Sequence, residues 1–342
     1  MKAVVVHGAK DLRVDELPDP VPGGGEVLIA MEWGGICGSD VAYWRHGASG
    51  TAVLEHPLVL GHEMAGRVAG TGPGVTGIDL GTPVTVHPAT PVGNEPLPER
   101  IAGRTNLYPR VRYCGSAAFT PHTDGGFSEL KVVRADQIRA LPDGVGTDRG
   151  ALAEPLAVAM HAVGRAADLT GRDVLVNGAG PIGALVVAAA KYAGARTVVA
   201  ADMAAAPLVI ARAMGADSVV DLSAGEELPA DVEIVFEASG AAAALGAVLR
   251  ATARGGTVVQ VGNLPGAPVP ANLGDLVTRE ITWIGSYRFV DEITDAVGAM
   301  HDGLDVSPLI THRYPIDRAG EAMDVAADRG SGSSKVLIRL SS

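Results

Sequence analysis

DVLVNGAGPIGALVVAAAKYAGARTVVAAD, residues 173–202, is the stretch whose reading decides the fold. Asp173 to Asn177 is an apolar strand, Gly178-Ala-Gly180-Pro181-Ile182-Gly183 a tight turn into a helix, and Thr197 to Ala201 a second apolar strand closed by Asp202. A glycine string of this kind carries meaning only in such a strand–turn–helix–strand setting. Gly178 permits the sharp turn, Gly180 lets backbone approach a pyrophosphate, and Gly183 lets the helix pack close on the sheet. The helix N-terminus, from Pro181 and Ile182 onward, offers unpaired N–H groups and a partial positive charge to the phosphates. Asp202, 24 residues after Gly178, is placed to accept hydrogen bonds from the adenosine ribose diol. A 2′-phosphate there would be repelled, and Met203-Ala-Ala-Ala offers no Arg to receive one, so the reading is NAD over NADP.

A chain of 342 residues suggests two domains, each large enough for its own core. Hydrophobic residues make up 47% and charged ones 19%, which excludes a disordered chain, and with aromatics at 4% the cores must be built from Ala, Val, Leu and Ile. The net charge of −12 argues against nucleic acid or an anionic membrane surface as partner. Two cysteines, Cys37 and Cys114, rule out a disulfide framework and suit a reducing cytosol. The opening MKAVVVHGAKDL has too short an apolar run for a signal peptide, and the run Ile182 to Ala190 is far below spanning length. A cytoplasmic protein with no membrane partner is expected.

The fold class expected is α/β in two parts. Residues 1–152 are rich in Gly, Pro and short alternating runs such as Glu26 to Glu32, the signature of an irregular, mainly antiparallel β domain. Over 153–288 apolar strands alternate with Ala-rich helices (184–193, 206–214, 241–253), which predicts a doubly wound parallel sheet. Residues 289–342 supply a helix, a short segment near Ile310, another helix and a strand from Lys335 to Leu340. That strand has no place in a complete nucleotide domain, so the C-terminus is expected to return to the first. A cleft between domains is the default place for chemistry.

The first domain carries Cys37-Gly-Ser39-Asp40 and, 25 residues after the cysteine, His62-Glu63. A soft thiolate, an imidazole and a carboxylate suit a zinc ion that keeps one position open. Adjacent residues on a strand point to opposite faces, so His62 and Glu63 can share an ion only if the backbone bends between them. Otherwise Glu154, in Ala-Glu-Pro-Leu, is the better third ligand. His56, His87, His122 and His161 have no ligand partner at suitable spacing and read as structural or surface residues.

Cys37-Gly-Ser-Asp, Gly61-His-Glu, Glu154-Pro-Leu, the glycine turn and Gly255-Gly-Thr-Val-Val-Gln-Val-Gly together resemble a zinc-dependent medium-chain alcohol dehydrogenase over almost the whole chain. Tyr43-Trp44, His46-Gly47 and Ser286-Tyr-Arg288-Phe289 are similar to the polyol (sorbitol) branch, especially L-idonate 5-dehydrogenases. The resemblance implies a GroES-like catalytic domain, a Rossmann domain, and a homo-oligomer, dimer or tetramer, formed through the latter. Two departures stand out. Relatives often hold a structural zinc on four cysteines, whereas Pro91 to Tyr108 contains none, so one catalytic zinc and no structural zinc is expected, with prolines and local packing holding that lobe. The branch commonly has a His where this chain has Ala42, so any proton relay must leave Ser39 through water or the cofactor ribose.

On this reading Cys37, His62 and Glu63 or Glu154 hold the zinc, Ser39 accepts the alcohol proton, and Asp40 orients His62 through its other ring nitrogen or else caps a turn. Val261 and Gly262 lie beside the nicotinamide. Tyr43 lines the substrate pocket, while Cys114 is packing. Arg288 clamps a carboxylate, or else stacks on Tyr287 at the surface. With Arg288 in the pocket a sugar acid such as an L-idonate-like hexonate is expected over a neutral polyol (sorbitol, xylitol or a threo-diol). A non-enzymatic NAD-binding module is the rival from another class, and a zinc-free quinone or enone reductase a further one.

Overall fold

The computed structural model describes residues 1–341. Its contacts divide the chain into two units: Met1–Glu154 with Ile293–Asp302 and the chain from Ile310 onward, and Pro155–Glu292 with Gly303–Leu309.

The first unit is built on one mostly antiparallel sheet. Its strands run in the order Ile138–Ala140, Pro83–Val86, Glu63–Thr71, Glu26–Gly35, Lys335–Arg339, Ile310–Pro315. Along Glu26–Gly35 the residues Val27, Ile29 and Met31 are fully buried and their neighbours less so, the two-residue period of a sheet with one face on a core. That face meets Met64, Val84, Val86, Phe127, Val336 and Ile338. One edge of this long strand is shared. Leu130–Arg134 pairs with its first half, and Lys335–Arg339 with Trp33–Gly35 at its end. The last strand thus lies in the sheet of the first unit, beside the start of the segment that carries Cys37.

The second unit holds six parallel strands: β1 (Asp173–Asn177), β2 (Thr197–Asp202), β3 (Ser218–Asp221), β4 (Val232–Glu237), β5 (Thr252–Gln260) and β6 (Thr282–Gly285). Their order is β3-β2-β1-β4-β5-β6, the doubly wound arrangement whose direction reverses between β1 and β4. Helices Pro181–Tyr192 and Ala205–Ala213 follow β1 and β2. Leu175, Val176, Ala200, Val235 and Val258 are essentially inaccessible, as central strands covered on both faces require.

Two boundaries differ from the sequence reading. The helix expected over 241–253 is a 3-10 turn at Ala242–Ala244 running into an α-helix at Leu245–Ala251, and the next strand starts at Thr252, earlier than expected. Gly255 and Gly256 let that strand bulge, so the register against β4 jumps between Val232 and Ile234. The C-terminal return is also interrupted, because Gly303–Leu309 belongs to the second unit, where Val306 and Leu309 are fully buried and the turn touches the helix Ala205–Ala213.

The turn after β1 leaves no room for a side chain at Gly178 or Gly183, whereas space at Gly180 is open. A Cβ on Gly183 would overlap the carbonyl oxygen of Gly178. Gly183→Ala is therefore expected to cost about 1–3 kcal/mol of stability, as overpacking does. An unchanged urea midpoint for the variant would contradict this packing.

Candidate active site: a thiol, an imidazole and two carboxylates

Cys37 lies between the strand Glu26–Gly35 and the helix Gly38–His46, at whose N-terminus it is the cap residue. His62 lies in a bend, between Gly61, whose φ of +98° favours glycine, and the strand that starts at Glu63. The bend removes the difficulty posed by strict alternation. His62 is outside the strand, and ligand atoms of Cys37, His62 and Glu63 come within 4.8 Å of one another. Asp40 joins the two segments, since one carboxylate oxygen accepts from Cys37 N at 2.9 Å and the other from Gly61 N at 3.2 Å. Both oxygens thus go to backbone amides and not to the His62 ring, because an Asp in the first turn of a helix is well placed to cap it. Its charge still acts on His62.

Glu63 is not alone. Lys335, at the start of the last strand, places Nζ 2.6 and 2.7 Å from the two Glu63 oxygens and 3.1 Å from the Ile36 carbonyl. All three ammonium donors are used, at 3% side-chain exposure for Lys335 and 1% for Glu63. Burial would lower the Lys335 pKa, yet the charges of Glu63, Cys37 and Glu154 raise it above its ordinary value. Glu154 lies outside the group that converges within 4.8 Å and accepts a hydrogen bond from Tyr113 Oη at 2.5 Å. Burial pushes its carboxyl up, and nearby Glu63 adds to the effect. Tyr113 also meets the His62 ring edge-on at 5.6 Å.

The electrostatics call for a cation. Burial alone would lower the His62 pKa, but the charge and hydrogen bond of the Cys37 sulfur, with Asp40 and Glu154, hold it well above the ordinary histidine value. Acids gathered around a buried imidazole are what a divalent ion would balance. One sulfur, one imidazole nitrogen and a carboxylate oxygen form a zinc donor set, so the residues fit the ion.

The other expected residues fall as follows. Ser39 is half-buried in the first turn of the same helix. Tyr43 is 3% exposed, its hydroxyl accepts from Ala117 N at 3.0 Å, and it belongs to the core cluster that includes Cys114. In the cysteine-free lobe, Tyr108 donates to Glu95 at 2.8 Å, and Val92, Leu97, Pro96, Pro98 and Pro109 line a small pocket beside them. His122 accepts from Glu55 N and faces His56, while His161 bonds Glu292.

In the second unit Gly180 caps the helix after β1, with Pro181 in its first turn. Asp202, at the end of β2, accepts from Ala179 N inside the glycine turn at 2.7 Å and from Ala204 N at 3.0 Å. Val261 and Gly262 follow β5, and both N–H groups donate to the Glu237 carbonyl. Arg288 adopts a φ of +51°, and its guanidinium lies 5.0 Å above the Tyr287 ring, the stacked arrangement. Lys335 and Tyr113 were not foreseen. The only sequence signal for Lys335 is a charged residue opening an otherwise apolar strand.

Residues 23–143 match the alcohol dehydrogenase GroES-like domain and residues 181–302 the zinc-binding dehydrogenase domain. The chain is 38% identical to a sorbitol dehydrogenase of Gallus gallus over 98% of its own length and 95% of the relative's. It belongs to the zinc-dependent medium-chain alcohol dehydrogenases, in their polyol dehydrogenase branch. Among solved structures it is similar to L-idonate 5-dehydrogenase from Escherichia coli, with a TM-score of 0.92 and 33% identity over 99% of this chain and 97% of that one. It is also similar to a zinc-binding dehydrogenase from Sinorhizobium meliloti bound to NADP, with a TM-score of 0.88 and 31% identity over 99% and 98%.

Lys335→Met would leave Glu63 buried without its partner, at a cost of about 3–5 kcal/mol. Zinc should recover part of that loss by replacing the ammonium as counter-charge. Urea denaturation with and without zinc checks this, and an equal loss in both conditions would contradict it.

Proposed function

We propose that this dehydrogenase uses NAD to oxidise a secondary hydroxyl of a neutral polyol. The observation that carries the reading is the convergence of ligand atoms of Cys37, His62 and Glu63 within 4.8 Å of one another, with His62 and Glu63 buried. The match to sorbitol dehydrogenases over nearly the whole chain supports the substrate class. Cys37, His62 and Glu63 would hold the zinc ion, and Glu154 stands next to them on Tyr113. Bound there, zinc would supply acidity, since coordination brings the pKa of a bound oxygen from about 16 to about 7. Ser39, two residues past the thiol, is the proton acceptor. Position 42 lies one helical turn further on the same face, and as alanine it passes no proton, so the route from Ser39 runs through water or the cofactor ribose. Asp202 beside the glycine turn favours a free ribose diol and hence NAD, in contrast to the NADP found in the Sinorhizobium meliloti relative.

A second reading, a hexonate of the L-idonate type, rests on Arg288 and on the likeness to L-idonate 5-dehydrogenase. The guanidinium lies over the Tyr287 ring, and a guanidinium fork suits bidentate capture of a carboxylate. NADH formation on a panel of polyols and aldonates separates the two. Neutral polyols are expected to give the higher kcat/KM, and Arg288→Ala to affect both classes alike. A loss of tenfold or more confined to the acids would overturn that choice in favour of the hexonate. About one zinc per chain is expected. A metal-free active protein, or two zinc ions per chain, would contradict the site assignment.

We also infer a homo-oligomer through the second unit. β6 ends its sheet as an edge strand, and Val269, Leu273 and Val277 on the approach to it are exposed at 44%, 38% and 78%. Light scattering is expected to give a dimer or tetramer, and a monomer at micromolar concentration would contradict it.

A further inference from the structure

The strand order assigns the two halves of a dinucleotide to opposite sides of β1. Asp202 ends β2, and the glycine turn ends β1. With the adenosine ribose at Asp202 and the pyrophosphate at the turn, the nicotinamide half extends the other way, over the carboxyl ends of β4 and β5. At that place the sequence puts a carboxyl group that the proposed mechanism does not use. Glu237 is the last residue of β4 and is fully buried.

Its side chain is saturated with donors. One oxygen accepts from Asn177 Nδ2 at 3.2 Å, from Ser239 N at 2.9 Å and from Ser239 Oγ. The other accepts from Gly240 N at 3.2 Å and from Gln260 Nε2 at 2.5 Å. Four of these five partners are N–H groups, which only donate, and none is a cation. The Glu237 carbonyl accepts in addition from Val261 N and Gly262 N, both at 2.8 Å, and Gln260 Nε2 reaches on to the Gly262 carbonyl at 2.8 Å. A single residue therefore ties together the ends of β1, β4 and β5 and the loops that follow β4 and β5.

Those loops are also in backbone contact. A Cβ on Gly262 would strike Gly240 N, and one on Gly240 would strike the Asn263 carbonyl oxygen. Burying a carboxyl group with no counter-charge is costly and is tolerated only when its hydrogen bonds are satisfied. An apolar residue would close the end of β4 without that cost, so the group is better explained by what it aims. Gln260 Oε1 and Ser286 Oγ, buried at the same end of the sheet with no hydrogen-bond partner among the described residues, point to a polar ligand group there.

We propose that Glu237 is the positioning residue for the nicotinamide half of the cofactor, acting through the loops Ala238–Gly240 and Val261–Asn263. The inference rests on the NAD reading above. ADP-ribose, which lacks the nicotinamide, is the probe that separates a local role from general loosening of the fold. Glu237→Gln keeps the size but turns one acceptor into an NH2 group facing N–H donors. Titration of the full-length protein with NADH and with ADP-ribose is expected to show at least a tenfold loss for NADH and less than twofold for ADP-ribose. Equal weakening of both ligands, or unchanged NADH binding, would overturn the proposal. Should Glu237→Gln fail to fold, Glu237→Asp, with both acceptors on a shorter arm, is held to the same comparison. A wild-type protein that binds neither ligand would overturn the nucleotide reading and this proposal with it, whereas wild-type binding that Glu237→Gln leaves intact sinks the proposal alone.

Discussion

Three carboxyl groups and a thiol crowd around one buried imidazole and one buried ammonium in the first unit, and much of that unit serves to hold this concentration of charge. Separated charges of like sign in a dry pocket repel strongly unless each is bonded. Asp40 is bonded to two backbone amides, Glu63 to Lys335, and Glu154 to Tyr113. The sulfur and the imidazole share a hydrogen bond, and the neighbouring Cys37, Asp40 and Glu154 hold the imidazole pKa well above its ordinary value. A divalent cation bound among these donors would balance the acids together.

The constraint reaches into the topology. Lys335 can meet Glu63 only if the last strand enters the sheet beside Trp33–Gly35, which it does. Gly61 must adopt a left-handed conformation for His62 to turn toward Cys37 while Glu63 starts a strand. Phe127 presses on this bend so closely that a Cβ at Gly61 would overlap its ring. The site is therefore fixed by core packing from one side and by Asp40 from the other, which is how a ligand set is held ready before its ion arrives.

Much of this was legible in the sequence, for local reasons. The strand–turn–helix–strand pattern around Gly178 is short-range, and the spacing of Cys37 from His62-Glu63 announces a donor set. What escaped was non-local. Lys335 is 272 residues from Glu63, and no pattern links them. Asp40 was legible as a polar residue near a ligand, yet its partners, backbone amides of two segments, are set by a turn that residue identities do not reveal. The Tyr43 hydroxyl accepts from an amide on a distant loop, a partner that no local pattern reveals. Glu237 was hidden for a different reason: an acid closing an apolar strand reads as the start of a solvated loop, and only the sheet order puts three strand ends around it.

The proposed chemistry depends on a metal held by one sulfur and by nitrogen and oxygen donors from two neighbouring segments. X-ray absorption at the zinc edge of the purified protein measures that directly. A single sulfur at about 2.3 Å with nitrogen and oxygen ligands at about 2.0–2.2 Å is the predicted shell. A spectrum with no sulfur, or with several, would place the ion elsewhere and contradict the central claim.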